Sequence, residues 1–92
     1  LQYSGVGAQL RKTRDGIQFM RIFDDSPAAD SGVVPGTVIM SINGQSATDM
    51  DLRQAVELIR GETGTEIQPL VQQPGAAEPE PIVLERRDVV AS

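Results

Sequence analysis

Apolar positions in this chain fall into short runs separated by turn residues, most of them strand-like and one, at Leu52 to Arg60, helical over more than two turns. Ala8-Gln9-Leu10-Arg11 alternates apolar and polar side chains, the period of a half-buried strand, and it follows a glycine-rich opening, Gly5-Val6-Gly7. Asp15-Gly16 marks a hairpin turn, and Ile17 to Phe23, rich in β-branched, aromatic and long apolar side chains, is the natural antiparallel partner. Ser26-Pro27-Ala28-Ala29-Asp30-Ser31-Gly32 has an N-cap serine, proline at the first helical position and glycine past the end, the pattern of a one-turn helix. Val34-Pro35-Gly36 is a turn, Thr37 to Ile42 a strand, and Asn43-Gly44 a second hairpin signal from which Gln45 and Ser46 start back. Over Leu52 to Arg60 the period becomes helical: Asp51 caps it, Gln54 completes a capping box, and Gly61 is the expected stop. Thr65 to Gln72 and Pro81 to Arg87 read as two more strands around the Pro, Gly and Ala-rich loop Gln73 to Pro79. Pro69, which has no N–H to donate, implies an edge position, a bulge or a shortened strand.

Together these elements predict a mostly β fold with two helices: a small, partly open antiparallel barrel or sandwich capped by helices, with no internal repeat. The 92 residues make one domain, and a chain of that length buries only about two-thirds of the surface exposed when unfolded. A hydrophobic share of 39% and a charged share of 23% are those of an ordinary globular domain. No apolar run is long enough to span a bilayer as a helix. The chain does not open on Met and no signal-like segment precedes Leu1, so a fragment of a longer protein is expected.

Composition also narrows the chemistry. A net charge of −5, with Tyr3, Phe19 and Phe23 the only aromatic residues, disfavours a nucleic-acid partner, which calls for a basic stripe and stacking platforms. Without His there is no Ser-His-Asp arrangement, and Lys12, the only lysine, sits beside Arg11 and near Arg14 at a hairpin where it is expected to be a solvated charge. Asp24-Asp25 and Glu78, Glu80 read as solvated loop carboxylates. With no Cys or His and no EF-hand spacing, no metal and no cofactor are expected.

Two features remain. In Gly5-Val6-Gly7-Ala8, glycines flanking one apolar residue let successive N–H groups converge into a nest able to hold an anion such as a terminal carboxylate, although a plain turn into a strand fits the same residues. In the longer helix, Ala55 and Leu58 fall together with Val56 and Ile59 close by, while Leu52, Val56, Ile59 and Arg60 share the i, i+4, i+7, i+8 stripe. One apolar face suffices for a core. The other is free to line a groove beside the first strand, with Val6, Ala8 and Leu10 as its far wall, unless all of these side chains are core.

The ordered set Tyr3-Ser4-Gly5-Val6-Gly7-Ala8, Asp15-Gly16, Ser26-Pro27-Ala28 with Gly32, Pro35-Gly36 with Val38-Ile39, Ile42-Asn43-Gly44, and Leu52, Ala55-Val56 and Ile59-Arg60-Gly61 resembles a PDZ domain of the circularly permuted bacterial kind. More narrowly it is similar to the PDZ domain of carboxy-terminal processing (tail-specific) serine proteases, and Ile82 to Val90 is similar to that family's passage into the protease domain, so 85–92 is expected to begin a linker. The chain departs from the family at Thr37, where Asp is usual, and at Pro69, where the strand is usually unbroken; neither position is expected to touch ligand. The family's catalytic Ser and Lys match nothing here, so no catalytic residue is carried over.

The resemblance implies a non-catalytic module that binds the C-terminal tails of substrate proteins. Backbone N–H groups around Gly5, Val6, Gly7 and Ala8 would hold the carboxylate, and the tail would add as a strand to Ala8 through Arg11, including Gln9 and Leu10. The last side chain would enter an apolar pocket of Val6, Ala8, Leu10, Val56 and Ile59, favouring Ala, Val or Leu. Leu52 would favour an apolar residue two positions upstream. So small a contact implies a Kd of roughly 1 to 100 μM. A protease domain in cis and a periplasmic or extracytoplasmic address follow from the resemblance alone. The alternatives are the PDZ domain of an HtrA-type or other bacterial protease, and a structural or oligomerising domain whose groove is filled by its own loop Gln73 to Pro81 or by the tail after Asp88.

Overall fold

A hairpin opens the fold. β1 (Ala8–Lys12) runs antiparallel to β2 (Ile17–Ile22), and Thr13 and Gly16 close the turn through mutual backbone hydrogen bonds of 2.8 and 3.4 Å. Gly16 has φ +153°, and a Cβ there would lie 2.1 Å from the Ile39 carbonyl oxygen. The hairpin therefore reaches the next strand only because that position carries no side chain. The register steps from Gln9↔Arg21 to Leu10↔Phe19, so Met20 is an extra, bulged residue, and its side chain turns to solvent. The structure, a computed structural model, describes residues 7–61 and 64–86.

Helix α1 (Pro27–Asp30) is the expected single turn. The Ser26 hydroxyl accepts from the Ala29 N–H at 3.1 Å and donates to the Phe23 carbonyl at 2.6 Å, so this buried polar group is satisfied twice. Thr37 is also wholly buried; its hydroxyl donates to Gln73 Oε1 at 2.8 Å and accepts from the Val34 N–H at 3.2 Å. The departure at Thr37 therefore serves a local turn. β3 (Val38–Ile42) turns through Asn43 and Gly44, at φ 49° and 84°, into β4 (Gln45–Ser46), the left-handed pair expected of an Asn-Gly hairpin. A 3₁₀ turn, Ala47–Asp49, which the sequence pattern did not reveal, then leads into α2 (Leu52–Ile59). Asp51 Oδ1 accepts from the Gln54 N–H at 2.8 Å and Gln54 Oε1 from the Asp51 N–H at 3.0 Å, completing the capping box.

After the helix, each of the two expected strands is split. Thr65 to Gln72 becomes β5 (Glu66–Ile67) and β6 (Pro69–Gln72); Pro81 to Arg87 becomes β7 (Glu80–Pro81) and β8 (Leu84–Glu85). Pro69 is the reason for the first break: it is the opening residue of β6, its carbonyl accepts from the Ile82 N–H at 3.0 Å with no N–H to return the bond, and the chain leaves one sheet for another at Gln68. The larger sheet has the order β1-β2-β3-β6-β7 with β4 pairing the end of β3; β5 and β8 form a separate pair. All pairings are antiparallel, and the sheets do not close into a barrel. Phe19, Ile17, Ile39, Ile42 and Val71 of the large sheet meet Ile67 and Leu84 of the small one and Ala55 and Ile59 of α2 in one core. The result is a mostly β domain with two helices, as the sequence pattern implies.

Candidate functional site

Among the described residues β1 borders only β2, so it is the terminal strand of the large sheet. The direction of its backbone groups follows from one bond. Phe23 donates its N–H to the Gly7 carbonyl at 2.9 Å, which turns Gly7 toward β2. By strand alternation Leu10 and Lys12 then direct their N–H and C=O groups to the outer edge, where an added strand would bond. Gly7 itself has φ +80°, a left-handed conformation suited to a nest of converging N–H groups. Gly5 and Val6, the other residues expected in that loop, lie outside the described residues.

Helix α2 packs against β1 and β3. Of the side chains expected to face a groove, Ala8 and Ile59 have no exposure and Leu10 is 4% exposed; all three belong to the core. Leu52 is half-buried against that core, and Val56 is buried but outside the core cluster. Ala55 and Ile59, one turn apart, thus form the inner face of α2, with Leu52 and Val56 on one flank and Leu58 on the other. The Leu58 flank meets a notch of about 270 Å³ that it lines with Gln45, Met50, Gln54 and Glu57. Gln9 is half-buried on the opposite face of β1 from Leu10.

Two cationic side chains hold α2 in place, and neither role is visible in sequence. Lys12, expected to be a solvated charge, instead donates through Nζ to the Ala47 and Thr48 carbonyls at 2.7 and 3.0 Å. It ties the end of β1 to the 3₁₀ turn that leads into α2. The start of α2 is thereby beside the end of β1, and the two elements run in opposite directions. At the other end, Arg86 Nε donates to the Ile59 carbonyl at 2.8 Å, Nη2 to the Leu58 carbonyl at 2.7 Å and Nη1 to Thr65 Oγ1 at 2.8 Å. Its backbone N–H and carbonyl bond Thr65 and Gly64. The expected role of Gly61 is corrected here: it takes no left-handed φ, the helix already ends as Arg60 turns extended (φ −74°, ψ 153°), and Gly61 leaves room for Arg86. A Cβ on Gly61 would stand 2.7 Å from Arg86 Nε and 2.8 Å from its Cδ and Cζ.

Asp24, Asp25 and Glu78 are exposed in loops, as expected; Glu80 is exposed too, but it is paired in β7 rather than lying in a loop. Among the described residues no group of acidic, His or Cys side chains is arranged to hold a metal ion, and no helix is long and apolar enough to cross a membrane.

The PDZ domain family matches residues 20–77. The carboxy-terminal processing protease CtpB of Bacillus subtilis (strain 168) is 37% identical over 73 residues, covering 79% of this chain and 15% of that protein. This chain thus spans about one-seventh of the length of that curated relative. Among solved structures, the PDZ domain of a carboxy-terminal protease from Vibrio cholerae, in complex with peptide, has a TM-score of 0.83 at 24% identity, covering 99% of this chain and 100% of that one. A variant of the HtrA-type protease AlgW with a decapeptide has a TM-score of 0.73 at 24% identity, covering 88% of this chain and 27% of that one. At these identities the two solved structures speak to the fold.

Proposed function

Because the chain belongs to the PDZ domain family, we propose that it captures the C-terminal tails of proteins by adding them as a strand to the outer edge of β1. The observation that carries this reading is the position of β1, last in its sheet and flanked by α2. In this reading N–H groups around Gly5, Val6, Gly7 and Ala8 hold the terminal carboxylate, and the left-handed Gly7 turns the loop toward it. The tail runs back along β1 with Leu10 as its central backbone partner, so main-chain bonds supply affinity largely independent of sequence.

The last side chain lies against Val6, Ala8, Leu10, Val56 and Ile59. Since Ala8, Leu10 and Ile59 are already enclosed, little space is open there, and a larger side chain has to push α2 away. We therefore rank a terminal Ala above Val or Leu. The half-buried Leu52 receives an apolar residue two positions earlier. The likeness in fold to a domain solved in complex with peptide is in keeping with a peptide ligand.

The similarity to a processing protease makes the parent protein a carboxy-terminal processing serine peptidase in this reading. The chain serves it as one non-catalytic domain over residues 1–92, with 85–92 leading toward a protease domain that it feeds and regulates. An extracytoplasmic address fits the same parentage. A groove filled by the chain's own loop is the competing reading. The loop after β6 argues against it, because Gln73 is bonded to Thr37 and β7 pairs with β6 at the opposite edge of the sheet from β1.

Titrating a labelled peptide ending in Leu-Ala-Ala, with a free carboxylate and as its amide, tests the proposal. Micromolar binding by the free acid only, with NMR shifts at Gly7 to Leu10 and Leu52 to Ile59, is the expected result. Failure of both forms to bind returns the self-filled groove.

A further inference from the structure

The two walls of the proposed groove are fixed in different ways. β1 is hydrogen-bonded along its length to β2, whereas α2 has no ladder and keeps its place through packing and through what holds its ends. The last carbonyls of a helix have no partner inside it. The Arg60 N–H closes the final turn on the Val56 carbonyl at 2.9 Å; beyond it the Ile59 and Leu58 carbonyls accept from Arg86 Nε and Nη2 at 2.8 and 2.7 Å. The arginine cannot follow if the helix moves. Its own N–H donates to the Thr65 carbonyl at 2.7 Å, its carbonyl accepts from the Gly64 N–H at 2.8 Å, and Nη1 is held by Thr65 Oγ1 at 2.8 Å. Both bonds to the helix are at the short end of the range for a charged donor, so a shift of the last turn in either direction weakens them. That turn is also the one beside the start of β1, because the Lys12 bonds to the Ala47 and Thr48 carbonyls set α2 and β1 in opposite directions. Ile59 therefore serves twice: its side chain, with no exposure, closes the space beside Ala8, and its carbonyl is one of the atoms that Arg86 holds.

We infer that Arg86 sets the size of the terminal residue the groove admits. It is a positioning residue: without touching the tail, it holds the last turn of α2 against β1 and restricts the end of the tail to Ala. The inference rests on the tail-capture reading above and deepens it. With the carboxylate at the loop before β1, the last side chain of the tail lies against Val56 and Ile59. A terminal Leu brings an isobutyl group in place of a methyl, and Ala8, Leu10 and Ile59 are already enclosed. Seating it displaces the turn from Val56 to Ile59, and the two bonds to Arg86 are strained or lost. Once the clasp is gone the same turn can yield, and the larger side chain gains from its own burial. Gly61 belongs to the device, since a Cβ there would stand 2.7 Å from Arg86 Nε; the clasp fits because position 61 carries none. The substrate class is thus tails ending in Ala, with larger apolar ends kept out by the clasp on α2 and not by the polarity of the lining.

The test uses the 92-residue chain and labelled peptides with a free carboxylate that differ only at the end, Leu-Ala-Ala against Leu-Ala-Leu, read by fluorescence anisotropy. The readout is the ratio of the two affinities, which a uniform loss of stability does not move. The wild type is expected to hold the Ala-ended peptide more tightly. Arg86→Ala should shift the ratio toward Leu by about five- to thirtyfold, the factor of one to two net hydrogen bonds. Arg86→Lys should give part of that shift, and so should Gly61→Ala, which displaces the guanidinium; in the Arg86→Ala background Gly61→Ala should add nothing. Asp51→Ala weakens α2 at its other end and should leave the ratio as it is. If Arg86→Ala does not fold, the two milder variants carry the test. A ratio unchanged to within about twofold in every folded Arg86 and Gly61 variant overturns the role of Arg86 and leaves tail capture standing, provided amidation still abolishes binding. An equal shift in Asp51→Ala overturns it as well, because general loosening of the helix then suffices. If neither free peptide binds the wild type, tail capture itself falls and takes this inference with it.

Discussion

Replacing Arg86 by Ala removes the clasp at the end of α2. Three side-chain hydrogen bonds are lost, to the Ile59 and Leu58 carbonyls and to Thr65 Oγ1, together with a cation at the negative end of the helix dipole. A hydrogen bond contributes about 1 kcal/mol net and more with a charged donor, while the dipole term is worth roughly 0.3 to 1 kcal/mol. Water can reach the freed groups, because Arg60 and Gly61 beside them are exposed. The expected loss is therefore about 2 to 3 kcal/mol, below the simple sum. For a domain of this size that lowers Tm by roughly 10 to 20 °C. Arg86→Lys should lose more than half as much, since one ammonium cannot span two carbonyls and a hydroxyl. Urea denaturation and thermal melting followed by circular dichroism give both numbers.

Gly61 supplies the decisive control. In the wild type, Gly61→Ala should destabilise, because the new Cβ meets Arg86 within 2.8 Å, but by no more than the clasp is worth. In the Arg86→Ala background the same change should be neutral or stabilising, by up to about 1 kcal/mol, because the position takes no left-handed φ and Ala restricts the unfolded chain. A loss under about 0.5 kcal/mol in Arg86→Ala, or equal effects of Gly61→Ala in the two backgrounds, would refute the reasoning.

Gly16→Ala should cost on the order of 3 kcal/mol or more, because its Cβ would meet the Ile39 backbone oxygen at 2.1 Å and φ +153° is already hostile to a side chain; urea denaturation should show it close to unfolded. Asp51→Ala should cost about 1 kcal/mol through loss of the bond to the Gln54 N–H, and amide exchange should quicken first at Gln54 and Ala55. Phe19→Ala should cost about 3 to 5 kcal/mol, since the ring has no exposure at the centre of the core, and a melt that still shows a sharp wild-type transition would contradict that.

How far the sequence speaks depends on how local each cause is. Asp51 and Gln54, Ser26 and Pro27, and Asn43 with Gly44 act on backbone within three or four residues, and each element they announce is present. The splits after α2 were half legible. Pro69 announced a break, but the partner that takes β5 away, β8, comes from residues the pattern joined to β7. Lys12 and Arg86 were not legible at all, because their partners lie 35 and 36 residues, and 27, 28 and 21 residues, away along the chain. The helical wheel showed that α2 is apolar on more than one face. It did not show that Ala55 and Ile59 form the inner face while Val56 is buried on its flank, because that depends on where β1 and β3 come to lie.

The pairing order also has a consequence for the sequence of events in folding. The first hairpin joins neighbours and needs nothing from later in the chain. The central ladder, by contrast, matches Ile39 with Val71, and β5 waits for Leu84 and Glu85. Such distant contacts carry a loop-closure cost that slows their formation. During synthesis α2 emerges long before the arginine that holds its last carbonyls, and the terminal strand β1 before the sheet behind it is complete. A nascent chain that has reached Gly75 therefore holds every residue of the first three strands and the helix, yet it still lacks both the partner of β5 and the clasp on α2. This domain therefore completes its fold only once Leu84 to Arg86 have left the ribosome.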